Sequence, residues 1–252
     1  MKRIQLIFPQ RSDYPNSLKI LDRAEQTIEY HQLIEASASA YFETKGLTKW
    51  LFKKRFETVL TSISKMSKID KLLDAGTGIG FFLPSLSKAA NQVVAIDNTV
   101  FSLKYAQFMV KKRKIDNVLF KKIKLENIDF KDKQFEVIVC LSVLEHIPSE
   151  KLKQVAREFK RILKSNGSLI VGYPNEGGLL FKLLQQLERR LLRKHITKAL
   201  ENKDRVKYQT FGHVTTAKQI SQILDQYFTI KEEKTLPLSG INLYKIQWRS
   251  KA

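Results

Sequence analysis

The sequence predicts an α/β protein built on a doubly wound, mostly parallel sheet. Between residues 69 and 175, short apolar strand patterns alternate with helical patterns, as in sheets whose parallel strands are joined by helices. A glycine-rich turn follows the first strand, at Gly76, Gly78 and Gly80. Asp97 ends the second strand, about twenty residues beyond the glycines. This order of elements is typical of half-sheets that bind nucleosides.

The individual elements follow from local patterns. Apolar residues recur at helical spacing from Trp50 to Ile63, which predicts a core helix packed on the sheet before the first strand. That strand ends at Asp74, and the next helix is predicted from about Ile79. The other predicted elements are a helix over 28–40, a strand over 92–96, a helix over 101–110, a strand over 117–120, a threonine-capped helix over 215–224, and an antiparallel strand pair over 228–232 and 241–248.

Length and cysteine content limit the architecture. At 252 residues the chain is long enough for one well-buried domain with additions, and too short for two full-sized domains with linkers. The single cysteine, Cys140, excludes an internal disulfide and a cysteine metal cluster, and its apolar strand predicts a core thiol. The apolar run near the N-terminus is too short for a signal peptide, and no stretch has the length of a membrane span. A cytoplasmic protein is therefore expected.

The chain is strongly basic. Its formal net charge of +20 is large enough to attract nucleic acid or an anionic membrane. Because lysines occur throughout the chain, they also fit dispersed solvating residues, and both interpretations stay open. Residues 177–196 form the most distinctive basic segment, with leucines on one helical face and lysines and arginines elsewhere. This pattern predicts an amphipathic helix that either packs its leucines on the domain or contacts a membrane.

The spacing around the glycine turn differs from the dinucleotide pattern G-x-G-x-x-G. Residues 74–80 have the pattern D-x-G-x-G-x-G, which resembles class I methyltransferases that use S-adenosylmethionine. The resemblance covers residues 69–175. Within it, residues 134–140 are similar to the family's fourth strand, 141–148 to the following turn, and 158–175 to its helix, glycine turn and fifth strand. These motifs resemble members that methylate small molecules and lipid precursors.

The resemblance implies a Rossmann-like sheet of seven strands, mostly parallel with an antiparallel last strand. It also implies a single domain over residues 1–252 that is divided into four parts. These are an N-terminal helical cap over 1–48, a cofactor-binding core over 49–175, a helical insertion or lid after strand five over 176–214, and a C-terminal helix and strand pair over 215–252.

The resemblance further implies how S-adenosylmethionine is bound. Asp74 and the glycine turn are expected to border the methionine part of the cofactor, and Asp97 to hold the ribose hydroxyls. Asn98 and Lys124 are expected beside the adenine, although many family members have an acid where Lys124 stands. The backbone at residues 140–142 is expected to meet the cofactor's amino group. The predicted cofactor-binding set is Asp74, Ala75, Gly76, Thr77, Gly78, Gly80, Asp97, Asn98, Lys124, Leu125, Cys140 and Leu141.

The predicted catalytic set is Glu145, His146 and His213. Methyl transfer from a sulfonium is an in-line displacement, so alignment and exclusion of water are the main requirements. A neutral histidine can remove a proton from a hydroxyl nucleophile, and His146 is the first candidate for this base. The alternative is a histidine that packs beneath the next helix. His213 is a further candidate at the substrate mouth, with a structural role as its alternative.

The stretch around His146 also resembles quinone-precursor O-methyltransferases, which place two glutamates and a histidine around a divalent ion. In this chain the first glutamate position holds Ser142. No metal site is therefore expected, and a half-site of Glu145 and His146 is the remaining alternative.

Three functions are compatible with these observations. The first is methyl transfer to a small-molecule or lipid-linked acceptor, with peripheral contact at an anionic membrane through residues 177–196. The second is methylation of RNA, for which the positive charge would bind phosphates. Against it, residues 141–144 replace the Asn/Asp-Pro-Pro-aromatic motif with which base-amine methylating enzymes grip a planar nitrogen. The third is a noncatalytic protein that binds S-adenosylmethionine and regulates a partner. The acceptor atom and the oligomeric state do not follow from the sequence.

Overall fold

The computed structural model describes residues 4–15, 42, 46–66, 68–175, 213–238 and 241–252. The predicted helices over 28–40 and 177–196 lie outside these residues. The helices are α1 (Gly46–Ile63), α2 (Leu83–Ala89), α3 (Val100–Lys112), α4 (Ser149–Ile162) and α5 (Ala217–Leu224). The strands are β1 (Ile69–Ala75), β2 (Ala90–Asp97), β3 (Val118–Lys122), β4 (Phe135–Leu141), β5 (Leu163–Pro174), β6 (Phe228–Leu238) and β7 (Ile241–Lys251).

The seven strands form one sheet in the order β3-β2-β1-β4-β5-β7-β6. The strands β1 to β5 run parallel to one another, whereas β7 runs antiparallel to both β5 and β6. The predicted fold class and its antiparallel last strand are confirmed. The carboxyl ends of β1, β2 and β4 therefore lie together at one edge, where an open α/β sheet binds its ligand.

Helices cover both faces of the sheet, which gives two hydrophobic cores. Along β1 and β2 the buried side chains alternate between the faces, so that Leu72 and Val93 belong to one core and Leu73 and Val94 to the other. The helices α1, α2 and α3 pack on the first face, and α4 and α5 on the second. The prediction that Trp50 belongs to the core is wrong: this residue lies near the start of α1 and is 44% exposed.

All helices within the described ranges are too short or too polar to cross a membrane.

Two predicted boundaries are wrong for local reasons. The helix predicted from Ile79 begins at Leu83, because Gly78 and Gly80 have positive φ angles of 54° and 83°, which a right-handed helix does not contain. The glycine turn predicted before the fifth strand is an irregularity within β5 itself. The register against β4 shifts there, from Phe135 opposite Leu163 to Val137 opposite Ser168.

The N-terminal segment 4–15 packs over α2 and the glycine turn. The backbone N–H of Ile7 donates to Ser85 Oγ at 2.8 Å, and the hydroxyl of Tyr14 donates to the carbonyl of Ile79 at 3.0 Å. An ion pair of 3.0 Å between Arg113 and Asp13 joins the same segment to the end of α3. The described part of the N-terminal cap is therefore tied directly to the loop that follows β1.

Candidate active site

The turn after β1 is fixed to the end of β2 by backbone hydrogen bonds. The N–H groups of Gly76 and Thr77 both donate to the carbonyl of Ile96, at 2.8 and 2.9 Å. The N–H of Gly80 then closes the turn by donating to the carbonyl of Thr77 at 3.0 Å. This geometry places the glycine turn directly beside Asp97.

The carboxylate of Asp97 is held by donors from both sides. Its Oδ2 accepts from the N–H of Gly78 at 2.9 Å, while Oδ1 accepts from the N–H and the hydroxyl of Thr99 at 2.9 and 2.7 Å. A carboxylate offers about four lone-pair sites, so that acceptor capacity remains beyond these three bonds. Asp97 is therefore held in a fixed orientation and can still accept a further hydroxyl group.

Gly76 and Gly78 serve the turn in different ways. Gly76 has a φ of +82°, and a Cβ atom there would lie 2.3 Å from the Cγ2 of Val143. Gly78 also has positive φ, +54°, but nothing lies within 4 Å of the place where its Cβ would be. Gly76 thus allows the turn to pack on the loop after β4, whereas Gly78 leaves open space for a ligand at the backbone.

Asp74 is a buried carboxyl at the end of β1. It is 7% exposed, and its Oδ2 accepts from the Thr77 hydroxyl at 2.7 Å. Burial raises the pKa of Asp74 to about 7, with a small further rise from Asp97 and an opposing effect of the Thr77 hydrogen bond. A positively charged group nearby would restore the ionised carboxylate.

Other residues predicted to bind the cofactor differ in how far they are exposed to solvent. The N–H of Ile123 donates to the carbonyl of Asp97 at 3.0 Å, which brings the residues after β3 to the same sheet edge. In that segment Lys124 is exposed and Leu125 is buried, and Asn98 is exposed directly after β2. Cys140 is fully buried, and burial raises the pKa of its thiol, so the prediction of a core thiol is confirmed.

These features fit S-adenosylmethionine. The ribose presents hydroxyl donors, and Asp97 keeps about one acceptor site for them beyond its three existing hydrogen bonds. The cofactor carries an ammonium and a sulfonium, and Asp74 provides negative charge once a cation approaches. The open space at Gly78 allows a ligand to reach the backbone. The residues that would hold the cofactor are therefore present and already aligned.

The three predicted catalytic residues meet beyond the end of β4. Glu145 and His146 lie in a 3-10 turn over Leu144–His146. The residues after His213 are joined to this turn, because the N–H groups of Val214 and Thr215 both donate to the carbonyl of Glu145, at 2.9 and 3.2 Å. The two imidazole rings lie edge to face with 5.2 Å between their centroids.

The electrostatics of this cluster are set by burial. Glu145 is 2% exposed, and burial raises its pKa to about 8 against smaller opposing effects from its own backbone and from Arg55. Partial burial lowers the pKa of His213. Partial desolvation of His146 by the surrounding protein, with a smaller effect of His213, lowers the pKa of its imidazole to about 4. Burial therefore favours the neutral form of both imidazoles.

Two functional neighbours were missed from the sequence. Arg55 on α1 donates from Nη1 to Ser142 Oγ at 2.9 Å, and Ser142 Oγ lies 2.9 Å from the hydroxyl of Tyr244 on β7. The guanidinium of Arg55 stacks on Phe52 at 4.6 Å and is 6% exposed. A basic residue on the apolar face of a predicted core helix was the signal that could have identified Arg55. No sequence signal identified Tyr244.

Two solved structures resemble the fold of this chain. A solved protein from Pyrococcus horikoshii OT3 has a TM-score of 0.63 at 20% identity, over 90% of this chain and all of that one. The N-methyltransferase NodS from Bradyrhizobium japonicum WM9, solved with S-adenosyl-L-homocysteine, has a TM-score of 0.59 at 15% identity, over 79% of this chain and 86% of that one. At these identities the two likenesses show that the fold is shared.

The family model described as a methyltransferase domain matches residues 66–231, which is more than half of the sequence. The chain therefore belongs to the methyltransferase domain family. A curated relative, the ubiquinone biosynthesis O-methyltransferase of Pelagibacter ubique, is 29% identical over 46% of this chain and 47% of its own length. The chain spans about half the length of the curated relatives it matches. The predicted enzyme class and its cofactor, S-adenosylmethionine, are confirmed at the level of the family.

Proposed function

We propose that the chain transfers a methyl group from S-adenosylmethionine to a small-molecule acceptor bound beside Glu145, His146 and His213. The observation that carries this proposal is the arrangement of two carboxylates around an open glycine turn. Asp97 is fixed by three donated hydrogen bonds, and Asp74 is buried at the end of the neighbouring strand. These positions supply the hydroxyl acceptor and the negative charge that the cofactor requires.

The protein's contribution to this reaction is alignment and exclusion of water. The bound cofactor supplies a methyl group that its sulfonium has activated. Asp97 and Gly78 would fix the nucleoside end, and the Glu145 turn would border the acceptor at the end of β4. The N-terminal segment adds cover, because Tyr14 is bonded to the carbonyl of Ile79 in the glycine turn. Holding two reactants in line in this way accounts for much of the rate acceleration that such enzymes need.

We take an oxygen nucleophile as the first choice. The support is the Pelagibacter ubique relative, which is named as an O-methyltransferase. A more specific form of the proposal adds a lipid-linked acceptor and contact with an anionic membrane, as predicted from the sequence. Both additions depend on residues 177–196, and the assay with anionic vesicles tests them.

The first test is calorimetric titration with S-adenosylmethionine and S-adenosylhomocysteine. We expect micromolar binding to wild type and a loss of at least about 100-fold in Asp97→Ala, because the charged acceptor for the ribose is removed and the glycine turn loses its anchor at Gly78. The matched control is Asp129→Ala, which removes an exposed carboxylate paired with Lys121 after β3 and should leave both affinities unchanged. If the folded wild type binds neither ligand, the proposal is wrong.

The second test follows transfer of a labelled methyl group to catechol-type phenols, to primary amines and to RNA, with and without anionic vesicles. Transfer to a phenol supports the proposal, and stimulation by vesicles supports the membrane form of it. Transfer to RNA alone would replace the proposal with the RNA alternative. Cofactor binding without transfer to any of these acceptors would favour the noncatalytic partner.

A further inference from the structure

We propose that Glu145, His146 and His213 bind a divalent first-row transition-metal ion on the acceptor side of the site. One ligand atom from each residue, two imidazole nitrogens and a carboxylate oxygen, lies within 4.8 Å of the other two. This donor set suits zinc, iron, cobalt or nickel, whereas magnesium and calcium prefer oxygen ligands alone.

The carboxylate of Glu145 is the first independent support. Its side chain is 2% exposed, and among the described residues its Oε2 makes no hydrogen bond. A buried acceptor without a partner costs about 1–3 kcal/mol, and more for a charged group. A cation bound between Glu145 and the two histidines would provide the missing partner.

The second support is that the protein holds the two ligand segments together. The carbonyl of Glu145 accepts from the N–H groups of Val214 and Thr215, and the Thr215 hydroxyl donates to the carbonyl of Ile147 at 2.5 Å. His213 therefore sits one residue before a fixed backbone contact. Ligand atoms around a zinc-sized ion are about 3 Å apart, and rotation of the partly exposed His146 ring can provide the remaining approach.

The proposed ligands differ from the two glutamates and one histidine of the quinone-type pattern. The expectation of no metal followed from the missing first glutamate of that pattern. Ser142, at the first glutamate position of the quinone-type pattern, is bonded to Arg55 and Tyr244 and belongs to a different network. The third ligand is instead His213, which lies before α5 and far from Glu145 along the chain. Three protein ligands leave coordination positions open, as in catalytic metal sites.

The position suggests what the ion would do, and this role rests on the proposed methyl transfer. Val143, two residues before Glu145, packs on Gly76 of the glycine turn, so the metal cluster adjoins the cofactor side. An ion there would lower the pKa of an acceptor hydroxyl, whose proton leaves to solvent. The acceptor oxygen then bonds to the methyl carbon as the carbon–sulfur bond breaks and its electron pair stays on sulfur. His146 would serve as a ligand rather than as the predicted base.

The test uses tag-free, chelator-treated full-length protein titrated with Co²⁺ and followed by visible absorption. We expect one saturable Co²⁺ site per chain, from which Zn²⁺ displaces the cobalt. His213→Ala and Glu145→Gln should each weaken binding by about 100-fold, because each removes one of three ligands. The matched control is Glu150→Gln, an exposed carboxylate at the start of α4, which should bind Co²⁺ as wild type does.

Thermal unfolding of each variant shows whether its fold is intact. The proposal is overturned if wild type shows no saturable Co²⁺ absorption, or if folded His213→Ala binds Co²⁺ as tightly as wild type. Asp97→Ala separates this result from the proposed function, because it should lose S-adenosylhomocysteine and keep the metal. Metal binding without any methyl transfer would leave the site standing and contradict the proposed function alone.

Discussion

The two ends of the candidate site are built in different ways. The cofactor end consists of Asp74, the glycine turn and Asp97, which belong to one continuous strand–turn–helix–strand unit and are joined by short hydrogen bonds. The acceptor end combines the turn after β4 with His213, which follows a long separate stretch of chain. The cofactor end is therefore a property of one local unit, whereas the acceptor end depends on how distant segments meet.

Gly76 and Val143 connect these two ends. A substitution at this contact should damage both, while changes on either side of it should damage one only.

Gly76→Ala should have the largest effect on stability. Its Cβ would lie 2.3 Å from Val143, and the positive φ disfavours any side chain, so we expect unfolding to become easier by about 3 kcal/mol. Gly78→Ala is the control, because its positive φ costs about 1 kcal/mol and no atom lies within 4 Å of the new methyl group. Chemical denaturation measures both. Equal losses in the two variants would contradict the packing of the turn on the loop after β4.

Asp74→Asn should separate stability from cofactor binding. The pKa of Asp74 in the folded protein, about 7, lies above its unfolded value of 3.8, so ionisation of this carboxyl opposes folding. The contribution of the protonated Asp74 carboxyl to the free energy of unfolding is fully present below about pH 4. This contribution is lost as the pH rises through about 7. At pH 8 we therefore expect Asp74→Asn to be more stable than wild type by about 1–3 kcal/mol in denaturant titrations.

The same group predicts how cofactor binding depends on pH. A carboxyl with a pKa of about 7 is mostly ionised at pH 8 and mostly neutral at pH 6, so wild-type affinity for S-adenosylmethionine should fall about tenfold between them. Asp74→Asn should bind weakly at both values and show no such slope. A wild-type affinity that stays constant from pH 8 to pH 6 would remove Asp74 from the binding site.

Tyr244→Phe should have the smallest effect, confined to the acceptor end. It removes the 2.9 Å hydrogen bond to Ser142 and should lower the free energy of unfolding by about 1 kcal/mol, with unchanged affinity for S-adenosylhomocysteine. Tyr227→Phe removes an exposed hydrogen bond from Arg157 and is expected to cost less. A loss of cofactor affinity in Tyr244→Phe would show that the two ends are not separable there.

The sequence predicted the doubly wound, mostly parallel sheet because alternating apolar patterns and a glycine turn allow few topologies. It placed Asp74 and Asp97 at one edge for the same reason, since the carboxyl ends of neighbouring parallel strands always meet. It misplaced the start of α2, because the positive φ angles of Gly78 and Gly80 are a backbone property that spacing alone does not reveal. It also assigned Trp50 to the core, although helical spacing does not fix which edge of an apolar face reaches solvent.

The sequence by itself determined the fold class, the cofactor class and the carboxylates that would bind the cofactor, because these depend on contacts within a short segment. Only the tertiary structure showed that Arg55 and Tyr244 both contact Ser142. It also showed that His213 lies beside Glu145. Those contacts join α1, β4, β7 and the segment before α5, and their formation depends on the path of the intervening chain. Local periodicity carries no information about that path, which is why these contacts were not predicted, although Glu145, His146 and His213 were predicted as catalytic residues.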